Sequence, residues 1–144
     1  METRKNILLV EDNVAVREAL VNALETENYH VFPAGNVREA ACEFSNNPID
    51  VALLDLNLGL ESGWDVFQKL NSIRPLPSTV VISGERGRFS HPLAASVDAL
   101  MEKPLNLSAL FQKLDLFVSE SAESRLRRRK SISSAGDCVV ENEV

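Results

Sequence analysis

Five short apolar runs punctuate the first two thirds of the chain, and each is followed by a stretch with a different period. Ile7-Leu8-Leu9-Val10 comes first and stops abruptly at Glu11-Asp12-Asn13. Tyr29 to Ala34 is a second, weaker run. The third, Val51-Ala52-Leu53-Leu54-Asp55-Leu56-Asn57, is apolar until a carboxylate interrupts it. Thr79-Val80-Val81-Ile82 is the fourth and ends on Ser83-Gly84-Glu85, and Ala99-Leu100-Met101 is the fifth and ends on Glu102-Lys103-Pro104. Continuous rather than alternating apolar runs of this length predict strands buried on both faces.

The segments between the runs have helical spacing. Val14 to about Glu27 follows Asp12 or Asn13 as N-cap and carries Val16, Leu20, Ala23 and Leu24 on one face. Asn36 caps a helix from Val37 to about Ser45, with Cys42 expected among its core residues. Asn47-Pro48 breaks the chain, and Gly59 and Gly63 bracket a loop. Trp64 to Ile73 is helical with Val66, Phe67 and Leu70 facing inward and Trp64 a packing residue. Pro75 and Pro77 mark another break. Between Arg86 and Val97 the pattern offers only a short helix opened by His91-Pro92. Asn106 caps a last helix in which Leu107, Leu110, Phe111, Leu114 and Phe117 recur at helical spacing. Five strands alternating with helices predict an α/β domain with parallel pairing and right-handed crossovers.

Parallel pairing changes the meaning of the polar residues. It gathers the C-terminal ends of all strands at one edge, where sites are built in open α/β sheets. Glu11, Asp12, Asp55, Asn57, Ser83 and Lys103 therefore converge although they are scattered along the chain. A charge inside a buried strand carries a large desolvation cost, so Asp55 belongs where its strand leaves the core. Acids held together need a cation, and oxygen donors alone suit a hard ion such as Mg²⁺. The two histidines, His30 and His91, are far apart and no Cys or His cluster has zinc spacing. A carboxylate beside Mg²⁺, a lysine and a hydroxyl is an arrangement for phosphoryl transfer. Asp55 is the candidate nucleophile, Lys103 and the metal offset charge on the phosphoryl oxygens, Ser83 donates a hydrogen bond, and Gly84 leaves room.

These segments, in this order and spacing, resemble the receiver domain of two-component response regulators, in a stand-alone form like the chemotaxis receivers. The resemblance covers residues 5–118. It implies a flavodoxin-like doubly wound five-stranded parallel sheet in the order 2-1-3-4-5, with helices on both faces. It implies that Asp55 accepts a phosphoryl group from a phosphohistidine of a sensor histidine kinase or a histidine phosphotransfer protein. It further implies that Glu11 and Asp12 hold Mg²⁺, partly through water, that Asp55 is a ligand through its side chain and Asn57 through its backbone carbonyl. Ser83 and Lys103 then engage the phosphoryl group, and Lys103–Pro104 resembles the family's cis peptide. Many receivers have an aromatic residue three positions before the lysine; here Leu100 stands there.

Composition adds boundaries. Apolar residues make up 44% and charged residues 25% of the 144, ordinary for a globular chain. No apolar run is long enough to span a membrane, and Met1 to Asn6 is unlike a secretory signal. Cys42 and Cys138 are read as free thiols in a reducing cytoplasm. Residues 1–118 carry ten Lys/Arg and sixteen Asp/Glu, which account for the whole net charge of −6; an acidic body argues against nucleic-acid binding. Residues 119–144 form a Ser- and Arg-rich tail with Arg125-Leu126-Arg127-Arg128-Arg129-Lys130. The last helix is expected to extend to about Arg129 before disorder. The tail is too short for a DNA-binding domain, and the basic run offers an electrostatic contact with a nucleic acid, an anionic surface, an acidic partner or the receiver itself.

The expected function is thus a phosphoacceptor receiver acting through protein contacts with a downstream protein, with a homodimer open to it. It would catalyse only its own phosphorylation and dephosphorylation. The alternatives are a receiver-like adaptor with little phosphorylation, a phosphate sink for a kinase, and a phosphatase of the haloacid-dehalogenase type. The last wants a second acid two residues after the nucleophile, where this chain has Asn57.

Overall fold

The structure, a computed structural model, describes residues 4–84, 91–120, 123–128 and 140–141. Strands β1 (Asn6–Val10), β2 (His30–Ala34), β3 (Val51–Asp55), β6 (Ser78–Ser83) and β7 (Ala99–Glu102) alternate with helices α1 (Val14–Thr26), α2 (Val37–Asn46), α3 (Gly63–Ile73) and α4 (Leu107–Ser119). Two further two-residue strands, β4 (Asn57–Leu58) and β5 (Glu61–Ser62), close a small antiparallel hairpin between β3 and α3. A 3₁₀ turn over Pro92–Ser96 is the short helix expected there, with His91 capping it through Nδ1. Glu85, Arg86 and Gly87 lie outside the described residues.

The sheet is parallel in the order β2-β1-β3-β6-β7, the doubly wound order expected for five strands. A sixth strand, β8 (Val140–Glu141), pairs parallel with the outer edge of β7, an addition the sequence pattern did not suggest. Every residue of β3 and β6 is buried, the polar Asp55, Ser78, Thr79 and Ser83 at their ends included, as central strands covered on both faces are. One apolar layer places Leu8, Leu54, Val81 and Leu100 against Phe44, Phe67 and Leu70 of α2 and α3; the other places Leu9, Leu53, Val80 and Met101 against Leu24, Leu110, Leu114 and Phe117 of α1 and α4.

The expected caps form: Asn13, Asn36 and Asn106 each accept a bond from a backbone amide in the first turn of α1, α2 and α4. Two details depart from the pattern. Cys42 is exposed, because α2 turns only Ala40 and Phe44 fully inward. The last helix does not run through to Arg129: Glu120 takes an extended backbone at its C-cap, and residues 123–128 form a separate helical segment. Among the described residues, no helix is long and apolar enough to cross a membrane.

Candidate phosphoacceptor site

The site follows from strand register. Val10 stands opposite Leu54, so the next residues, Glu11 and Asp55, leave the sheet side by side. Asp55 stands opposite Ile82, and Ser83 opposite Glu102, which puts Ser83 and Lys103 at the same edge. Backbone bonds tie the strand ends together: Leu56 N donates to Ile82 O at 2.9 Å, and Lys103 N to Ser83 O at 2.9 Å. The Lys103–Pro104 peptide is cis.

Three of the six expected side chains meet directly. Lys103 Nζ lies 2.7 Å from Asp55 Oδ2 and 3.7 Å from Glu11 Oε1. The other oxygen of Asp55 accepts the Asn57 amide at 2.8 Å, so the carboxylate is held on both sides. Glu11 and Asp55 are buried, as is Ser83 at the end of β6. Asp12 and Asn57 are exposed at the rim. Asp12 leans over the loop after Asp55: its Oδ2 would lie 3.6 Å from a Cβ placed on Gly59, a residue with φ +74°. Among the described residues, the nearest heavy atom a Cβ on Gly84 would meet is Lys103 Cδ at 3.8 Å.

Two buried carboxylates share one ammonium, and the Glu11 carboxyl and the Lys103 ammonium are both shifted. Burial, then the hydrogen bond with Asp55, push the Glu11 carboxyl from its usual 4.5 up to about 7. Burial pulls the Lys103 ammonium down, but the bond to Asp55 and the charges of Asp55 and Glu11 outweigh it and hold it above its ordinary value. The donor set around this excess negative charge is all oxygen, which fits a hard divalent cation. Among the described residues, no three acid, His or Cys side chains are already drawn together at ligating distance. Asp12, at the rim, would join Glu11 and Asp55 by a side-chain turn or through water.

The sequence reading missed the apolar wall of the site. A cavity of about 190 Å³ opens beside Glu11, Asp55 and Lys103, walled by Leu9, Val16, Leu20, Ile82 and Leu105 among others. Val16, expected in the core, is 39% exposed and belongs to this wall. The i, i+4 pairing of Val16 and Leu20 on the helix entered directly from Glu11-Asp12 was the signal for it. The pattern also gave no hint of Arg17, whose Nη1 donates to Glu11 O at 2.8 Å and ties α1 to the acid's backbone.

Removing the ammonium should be costly. Lys103→Met leaves two buried acids without their shared partner, and about 2–3 kcal/mol of stability should be lost in urea unfolding at about pH 8. Glu11 is an acid whose folded value lies above its unfolded one, so its contribution falls as pH rises from 4.5 through about 7. The deficit should therefore shrink at about pH 5, where Glu11 takes up a proton. A deficit that grows on acidification would contradict this charge balance.

Comparison with known proteins gives this fold a family. Residues 7–115 match the family model described as the response regulator receiver domain. The response regulator RR06 of Streptococcus pneumoniae is 28% identical over 114 residues, 78% of this chain and 52% of the relative. The KDP operon transcriptional regulatory protein KdpE of Escherichia coli is 28% identical over 138 residues, 94% of this chain and 56% of the relative. The chain thus spans about half the length of these curated relatives. Among solved structures, a CheY-like receiver domain protein of Methanospirillum hungatei superposes with a TM-score of 0.71 at 24% identity, covering 93% of this chain and all of the other. The response regulator TrrA of Thermotoga maritima, solved in complex with Mg(2+)-BeF, superposes with a TM-score of 0.72 at 25% identity, covering 78% of this chain and 98% of the other.

Proposed function

Because this chain belongs to the response regulator receiver domain family of two-component signalling, we propose that Asp55 is its phosphoacceptor and that residues 1–118 work as the receiver. The observation that carries this is the meeting of Asp55, Glu11 and Lys103 at the ends of three parallel strands. A carboxylate oxygen of Asp55 attacks phosphorus, a P–O bond forms, and the P–N bond to the donor histidine breaks. The imidazole leaves and Asp55 becomes a mixed anhydride. Water later attacks phosphorus and returns the free carboxylate and inorganic phosphate.

Glu11, Asp12, Asp55 and the Asn57 carbonyl would hold Mg²⁺, which supplies charge neutralisation for the transferred phosphoryl oxygens. Lys103 lies close enough to Asp55 to pair with a phosphoryl oxygen once the anhydride forms, and Ser83, one residue further along β6, would donate a hydrogen bond to another. The donor is a sensor histidine kinase or a histidine phosphotransfer protein, and output passes through contacts with a downstream protein. The chain turns over no metabolite in this reading and works in the cytoplasm.

Incubation with acetyl phosphate and Mg²⁺, read by intact mass, tests it. One phosphoryl group should be gained, and chelation of the metal should slow the gain by roughly a hundredfold. A rate indifferent to chelation would remove Mg²⁺ from the account. No gain under any donor would favour the adaptor reading.

A further inference from the structure

Asp98 immediately precedes β7 and is almost fully buried. Its Oδ2 accepts the Thr79 amide at 2.7 Å, at the start of β6. Its Oδ1 lies 3.0 Å from Nη1 of Arg128, which comes from the separate segment 123–128. The same guanidinium donates two 2.8 Å bonds to Glu120, from Nε to Oε2 and from Nη2 to Oε1. Its Cζ stands 4.7 Å from the ring centroid of Phe117. The bond to Arg128 is the largest influence holding the Glu120 carboxyl below the usual range.

Arg128 is singled out from its basic run. Arg127 is 70% exposed and pairs with Glu123, itself 81% exposed, while Leu126 also faces solvent. Exposed pairs of that kind contribute little, whereas a forked guanidinium on two buried carboxylates is strong and specific. A buried Asp98 without a cation would be costly. The second contact falls on the same strand: Val140 stands opposite Leu100, two residues after Asp98, and Glu141 opposite Met101. Without that pairing β7 would be the open edge of the sheet, a template for any extended chain.

We propose that the C-terminal segment of this chain is a cis ligand of its own β7 edge, seated by Arg128 on Asp98, Glu120 and Phe117 and completed by Val140–Glu141 alongside Leu100–Met101. The edge is then open to another polypeptide only when this segment lets go. The occupant is the chain's own tail because the charges are complementary and both contacts address one strand.

Hydrogen–deuterium exchange on the full chain tests this, with Arg128→Gln compared against Arg127→Gln. Arg128→Gln should speed exchange in peptides over 98–102 and at Val140 and Glu141 by roughly tenfold or more, with β1 and β3 unchanged, because two ionic hydrogen bonds and an ion pair are lost. Arg127→Gln should leave both within about twofold. Equal exchange in the wild type and Arg128→Gln overturns the proposal, as does an equal effect of Arg127→Gln. If Arg128→Gln loosens the whole sheet, Glu120→Gln takes its place, since it keeps Arg128 on Asp98. It should speed exchange at Val140 and Glu141 by roughly threefold, and no change there overturns the proposal.

Discussion

Asp55→Asn should abolish phosphoryl uptake from small-molecule donors, lowering the rate by roughly a thousandfold or more, to below detection. The substitution is isosteric, and its amide oxygen can still accept the Asn57 amide that Asp55 Oδ1 accepts now at 2.8 Å. It removes the nucleophilic carboxylate and one of the two buried negative charges around Lys103. The ammonium, already 3.7 Å from Glu11, can turn to it alone. Stability should therefore stay within about 1 kcal/mol of wild type, and Glu11 should titrate lower once the hydrogen bond and charge of Asp55 no longer push it up. Intact mass after donor incubation, together with a urea melt, checks both halves. A phosphoryl group that survives the substitution would remove Asp55 from its role. A collapse in stability would mean that the charge balance at the strand ends has been misread.

Gly63→Ala should damage the fold at the site's foundation. A Cβ on Gly63 would sit 2.5 Å from the Asp55 carbonyl oxygen and 3.0 Å from both the Asp55 carbonyl carbon and Leu56 Cα. All three are backbone atoms, so no side-chain rotation relieves the clash. The start of α3 and the end of β3 must move apart, breaking the 3.1 Å bond from Gly63 N to Leu56 O. Overpacking against rigid neighbours typically costs 1–3 kcal/mol, and about 3 kcal/mol is expected here. The urea midpoint should fall with an unchanged slope. The phosphorylation rate of the folded fraction should fall as well, because the displaced atoms belong to Asp55. Gly84→Ala is the control: among the described residues its Cβ would meet nothing closer than 3.8 Å, and stability should change by less than about 0.5 kcal/mol. Equal costs at the two glycines would contradict this account of α3 docking.

The sheet was legible because buried parallel strands leave a recognisable pattern: a run of three or four apolar residues ending on a polar one, as at Val10-Glu11, Leu54-Asp55, Ile82-Ser83 and Met101-Glu102. Once the strands were placed, parallel register did the rest, bringing Glu11, Asp55, Ser83 and Lys103 to one edge. What escaped depended on tertiary partners rather than on period. Val16 and Leu20 read as core, and only the neighbouring cavity shows that they wall the site. The hairpin Asn57–Leu58 with Glu61–Ser62 is too short to leave a period-2 signature. The stacking of Trp64 on His91, with ring centroids 4.9 Å apart, joins residues distant in sequence by shape alone. Asp98 carried no mark of burial, since its counter-charge lies thirty residues downstream in a run of five basic residues. Nothing in the sequence tells Arg128 from Arg127; the helical segment 123–128 brings Arg128 to Asp98 and Glu120 and leaves Arg127 exposed beside Glu123.

The central claim is that Asp55 forms a mixed anhydride, and borohydride tests it most directly. Reduction of the protein after incubation with acetyl phosphate and Mg²⁺ converts an aspartyl phosphate to homoserine at the modified position. Peptide mapping should find homoserine at position 55 and at no other acid. Homoserine at Asp12 or another aspartate, hydroxynorvaline at Glu11 or another glutamate, or a phosphoryl group that stays on Ser83 after reduction, would contradict the account.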